Sequence, residues 1–122
     1  MNPRDLLLPD WPAPPGVHAV STLRTGGVSR AEFASLNLGD HVGDSIADVQ
    51  ENRRRLREVC GLPQEPNWLR QVHGVRVADL DQPGQDLTAD AALTRRSGIV
   101  CAVLTADCLP VLFADAAGTT VA

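Results

Sequence analysis

Residues 98–115 read GIVCAVLTADCLPVLFAD. Two apolar runs in this stretch, IVCAVL at 99–104 and VLF at 111–113, are short and partly β-branched, which predicts two adjacent buried strands. Between them TADCLP places a carboxylate, a thiol and a proline at one point. Pro110 has no backbone N–H and interrupts a ladder, so Cys108 falls where a strand ends, the place where α/β and α+β folds expose reactive groups. Taken on the residues alone, Cys108 has three readings: a nucleophile activated by a histidine, a thiolate ligand to a metal, or a buried thiol. Cys101 lies inside the first apolar run, where a small thiol fills space. Cys60 has no ligand-like neighbour within a helical turn.

Working outward, residues 45–63, SIADVQENRRRLREVCGLP, carry a helical stripe of Ile46, Val49, Leu56 and Val59. Ser45 can cap its start, and Gly61 with Pro63 closes its end. Asp48 and Glu51 early, with Arg53, Arg54, Arg55 and Arg57 later, suit the helix dipole and read as a solvated face. A β-favouring run at 17–22 leads into RTGG, VRVADL at 75–80 alternates like a half-buried strand, and AALT at 91–94 is a short strand or its approach. One secure helix among several short strands gives an α+β class, with mixed sheets packed against helices. His18 falls within a predicted strand. His41 and His73 fall in glycine-bearing loops, GDHVGD and QVHGV, and neither sits at the spacing of a local metal motif, so any site must be assembled by the fold.

Composition narrows the partners. The 122 residues, 43% of them hydrophobic, suffice for one domain with a core. Fifteen acidic against 11 basic residues give a net charge of −4, no electrostatic footprint for nucleic acid or an anionic membrane. Two Phe, two Trp and no Tyr leave little for base stacking. No apolar run approaches the ~20 residues of a membrane span, and MNPRDLLLPDW lacks the apolar region of a signal peptide. Three cysteines, an odd number, read as reduced thiols of a cytoplasmic protein.

The motifs RTGGVS, SLNLGDHVGD, ENRRRL, WLRQVHG, ADAALT and TADCLPVLF, in this order, resemble the bacterial laccase-domain or polyphenol-oxidase family, understood as zinc-containing purine nucleoside phosphorylases with adenosine deaminase activity. The resemblance covers essentially the whole chain, and Leu23 departs from it where the family commonly has a hydroxyl residue. It implies that 1–122 is a single incomplete domain, the amino-terminal half of the family fold, and that this half alone is inactive. It implies zinc held by His73 and Cys108, also the catalytic residues, with a third ligand from an HAGWRG motif that the family has beyond the strand beginning GTTVA. Two His and one Cys would leave a fourth position open for water or substrate. The implied substrates are phosphate with adenosine, inosine or methylthioadenosine.

Arg24 with the Gly26–Gly27 backbone is a candidate anion-binding element, a turn being the competing reading. Asn37 and His41 are candidates for the nucleoside pocket. The rival activities are a copper-dependent polyphenol oxidase, disfavoured by only three histidines and no His-x-His pair, and a hydrolase built on Cys108 and His73.

Overall fold

The computed structural model describes residues 1–122, which form two compact units: Met1–Asp10 with Ala19–Leu62, and Trp11–His18 with Pro63–Ala122. Both contain short strands, and the first contains the helix, in keeping with the mixed α+β class.

In the first unit, strand β1 (Leu6–Leu7) pairs antiparallel with β2 (Ser21–Thr22), Leu6 opposite Thr22. The predicted strand at 17–22 thus shrinks to its last two residues. His18, expected within it, lies outside any strand and is exposed. Helix α1 (Ile46–Cys60) has the expected bounds: the Ser45 hydroxyl accepts from the Asp48 amide, and Gly61 ends the helix in the left-handed conformation at φ 59°. Arg54 bonds to Glu51 and Glu58, and Arg55 to Glu51. These are surface pairs worth a few tenths of a kcal/mol each. The two guanidinium groups hold the Glu51 carboxyl down to about 2.

The buried stripe of α1 differs from the expectation in composition. Val49 and Leu56 are buried, but Ile46 is half exposed and the most buried residue of the helix is polar: Asn52 is 0% exposed. Its side-chain oxygen accepts from the Val28 amide at 2.8 Å, and its nitrogen donates to Ser29 Oγ at 2.9 Å and to the Asn37 carbonyl at 2.8 Å. All three of these bonds are directed into the RTGGVS and SLNLGD loops. Ser29 Oγ donates to Asp44 Oδ2, which also accepts from Asn37 Nδ2, so a ring closes through the side chains of Asn52, Ser29, Asp44 and Asn37 and the Asn37 carbonyl. Gly27 is required by this packing, because a Cβ there would lie 2.0 Å from the Ser35 carbonyl oxygen and 2.5 Å from Asn52 Oδ1.

The Ser29 hydroxyl, with the Asn37 amide and the Ser45 N–H adding, holds the Asp44 carboxyl below its ordinary value. A carboxyl lowered in the folded state contributes stability above its unfolded pKa of ~3.9 and loses it as pH falls through the folded value. Urea midpoints are therefore expected to drop below about pH 4, and the drop is expected to be shallower in Asp44→Asn. Equal acid slopes for the two proteins would contradict this role of Asp44.

In the second unit, β3 (Val77–Asp79) and β4 (Ala91–Leu93) run parallel, Ala78 opposite Ala92. Single parallel bridges at Asn67–Cys101 and Arg70–Thr88 extend the pattern. Leu69, Ala78, Ala89 and Ala92 form the core, with Leu80, Leu87, Cys101 and Val103 packed against it.

The two runs flanking Cys108 are not adjacent strands. The first makes one bridge, at Cys101, and then the amide and carbonyl of Leu104 are taken by the side chain of Gln71 instead of a neighbouring backbone. The second pairs with the end of the chain, Phe113 exchanging both backbone bonds with Ala122. Leu109, Val111 and Phe113 are 86%, 58% and 61% exposed, so this apolar run lies on the surface of its unit and not in the core.

Candidate functional site

The parallel register sets the site in the second unit. Val77 and Ala91 are opposite each other at the starts of β3 and β4, so Asp90 is delivered beside the residues that lead into β3, and its N–H donates to the Arg76 carbonyl at 3.2 Å. From there its carboxylate reaches the QVHG loop. Three successive amides converge on it: Val72 at 3.2 Å, His73 at 2.9 Å and Gly74 at 2.7 Å. The Gly74 amide does most to hold the Asp90 carboxyl below the usual carboxylate range; those of His73 and Val72 add to it, against partial desolvation.

His73 sits at the turn of this loop with φ 57°, a left-handed conformation that costs a non-glycine residue roughly 1–2 kcal/mol. Such outliers cluster at functional sites when the surroundings over-determine them. Here the surroundings are one carboxylate and three amides, bonds of the charge-assisted kind. The same bonds fill a concavity of amides that would otherwise suit an external anion.

Gln71 ties this loop to the segment that carries Cys108. Its Nε2 donates to the Leu104 carbonyl at 2.9 Å and its Oε1 accepts from the Leu104 amide at 2.7 Å, a side chain standing in for a strand neighbour. Beyond Leu104 the chain turns outward. Residues 105–109 are exposed, Cys108 included, contrary to the buried-thiol reading. Cys101, by contrast, packs on the core; burial and then the Asp81 charge push its thiol up to about 11. Burial also raises the Cys60 thiol.

The remaining candidates lie in the first unit. Arg24 donates from Nε and Nη2 to the Ala34 carbonyl at 2.9 and 2.8 Å, pinning the RTGG turn to the loop at 31–35. The Gly27 amide is used by Ser35 Oγ and the Val28 amide by Asn52. Asn37 folds its own loop through Gly39 and Asp44. The His41 side chain is exposed, 3.7 Å from the Asp40 carboxylate. Asp90 and Gln71 were not legible as site residues: ADAALT and QVHG mark the right segments, but nothing in their spacing says which side chains would meet.

Imidazole and thiolate are donors of the kind zinc takes, and His73 and Cys108 are both exposed, so the pair fits as part of a zinc site. It is not a whole one, since no three His, Cys, Asp or Glu side chains of the 122 residues are arranged to hold a metal ion.

Comparison with known proteins places this geometry in context. The family described as multi-copper polyphenol oxidoreductase laccase matches residues 18–122. A purine nucleoside phosphorylase of Pseudomonas aeruginosa is 55% identical over 116 residues, 95% of this chain and 47% of its own. The purine nucleoside phosphorylase YfiH of Escherichia coli is 52% identical over 118 residues, 96% of this chain and 49% of its own. The crystal structure of a Neisseria meningitidis protein superimposes with a TM-score of 0.86 at 44% identity, over 96% of this chain and 48% of that one. YlmD from Geobacillus stearothermophilus gives 0.82 at 33% identity, over 99% and 49%. The chain spans about half the length of the curated relatives it matches. No helix is long and apolar enough to cross a membrane.

Proposed function

The chain belongs to the multi-copper polyphenol oxidoreductase laccase family, and on that premise we propose that it serves a cytoplasmic enzyme that splits purine nucleosides with phosphate. The observation that carries the reading is the exposed pair His73 and Cys108, borne on two segments that Gln71 binds together. The names of relatives more than 50% identical over nearly all of this chain support it. In phosphorolysis, phosphate attacks the ribose C1′ as the purine leaves, so a site must hold an anion and stabilise charge developing on the base.

Within this proposal His73 and Cys108 are two of the ligands of a zinc ion. Zinc, when bound, supplies a Lewis acid that brings the pKa of a coordinated water toward ~7, which extends the proposed activity to adenosine deamination. Arg24, clamped to the Ala34 carbonyl, is the candidate partner for phosphate. Asn37 and His41 are the candidates to meet the nucleoside. Copper is the alternative metal under the family's name, and a Cys108–His73 hydrolase the alternative chemistry.

The test uses the polypeptide at the length of its relatives, loaded with zinc and given adenosine, inosine or methylthioadenosine with phosphate. Free purine and ribose 1-phosphate (methylthioribose 1-phosphate from the last) are the expected products, with ammonia from adenosine. Absence of the sugar phosphate with all three nucleosides would overturn the assignment, and oxidation of a phenol by the copper-loaded protein would point to the alternative.

A further inference from the structure

We infer that Asp90 and Gln71 are positioning residues that set the geometry between His73 and Cys108. This rests on the reading of that pair as functional. Two side chains on separate loops act together only if each loop has one conformation and the loops have a fixed relation. Asp90 provides the first condition for His73. A single carboxylate accepting from the amides of 72, 73 and 74 leaves the loop no other low-energy course, because releasing any one of them strands a charge-assisted bond. It also holds His73 at a φ that the residue would otherwise leave.

Gln71 provides the second condition. Its amide makes a two-point contact with the backbone of Leu104, four residues before Cys108 and two residues before His73 in its own loop. A two-point contact fixes rotation as well as distance, whereas a one-point contact would let the 105–108 segment swing. The use of a side chain in place of a backbone neighbour also frees the following residues from the sheet, which is why Cys108 is exposed and not paired. Both residues act through others. Neither is argued to touch substrate.

The experiment uses the polypeptide at the length of its relatives with cobalt(II) as probe, titrated at neutral pH and read by the thiolate-to-cobalt charge-transfer band, together with amide hydrogen exchange. Asp90→Ala is expected to weaken cobalt binding by about 10- to 100-fold, the range for residues that orient metal ligands, and to speed exchange at Val72, His73 and Gly74. Gln71→Ala is expected to weaken binding similarly and to speed exchange at Leu104. Asp90→Asn and Gln71→Glu, which keep part of each bonding pattern, are expected to fall between these and the parent chain, and serve if an alanine variant fails to fold. Asp115→Ala is the control for loop carboxylates in general, since Asp115 bonds Thr119 and Thr120, and it is expected to leave cobalt binding unchanged. Unchanged affinity in Asp90→Ala and Gln71→Ala, while His73→Ala abolishes the band, would overturn the positioning roles. Unchanged binding in His73→Ala would overturn the functional reading of the pair itself, a separate failure.

Discussion

Replacing Asn52 by alanine is expected to destabilise the chain by about 4 kcal/mol, since it orphans the Val28 amide and the Asn37 carbonyl, each loss costing roughly 1–3 kcal/mol less whatever water recovers, and removes the bond that the Ser29 hydroxyl accepts while still donating to Asp44. Against a total stability of about 5–15 kcal/mol that is a large fraction. The reason lies in where the bonds go. Asn52 is fully buried on α1, and its three bonds reach two different loops, so one truncation loosens both from the helix. Leucine fills the volume and still leaves the Val28 amide and the Asn37 carbonyl unpaired. Aspartate keeps the acceptor for Val28 but sets a second carboxylate into the ring that contains Asp44. All three variants are therefore expected to lower the urea midpoint, and Arg54→Ala, on the exposed face of the same helix, is expected to change stability by less than about 0.5 kcal/mol. A cost below about 1 kcal/mol for Asn52→Ala would contradict the hub described here.

The contrast between α1 and the strands explains what was readable. Ser45, the apolar stripe and Gly61 are local signals, and a helix closes its hydrogen bonds within itself, so its bounds follow from consecutive residues. The partners of a strand lie elsewhere in the chain. Residues 99–104 and 111–113 have strand composition, but composition does not say that Gln71 will take the Leu104 backbone or that Phe113 will meet Ala122. Apolarity alone defines the stripe and passes over Asn52. A buried amide in a helix is invisible until its acceptors and donors have been brought to it. For the candidate site, His73 and Cys108 stand out in the sequence because few residue types can ligate a metal or act as a nucleophile. Asp90 and Gln71 act through backbone atoms, which every residue has, and so leave no compositional mark.

Substituting Cys108→Ser or His73→Ala in the polypeptide at the length of its relatives is expected to lower phosphorolysis by more than about 100-fold, beyond the loss typical of residues that only orient a ligand, and to remove bound zinc in parallel. Cys101→Ser provides the opposing case. Cys101 packs, partly buried, on the core with its thiol pushed up to about 11, so at neutral pH it is a protonated filler. Its replacement by serine is expected to cost stability, because a polar hydroxyl replaces the thiol packed against the core, while zinc and turnover per folded molecule stay near those of the parent. The two thiols can be compared directly by brief iodoacetamide labelling of the native 122-residue chain, followed by mass spectrometry. Cys108, exposed at the end of TADC, is expected to be alkylated well before Cys101, and zinc is expected to slow the reaction at Cys108 alone. Faster labelling of Cys101, or full zinc retention in Cys108→Ser, would mean that the thiol facing solvent is not the one that does the work, and the site would have to be rebuilt around a different residue.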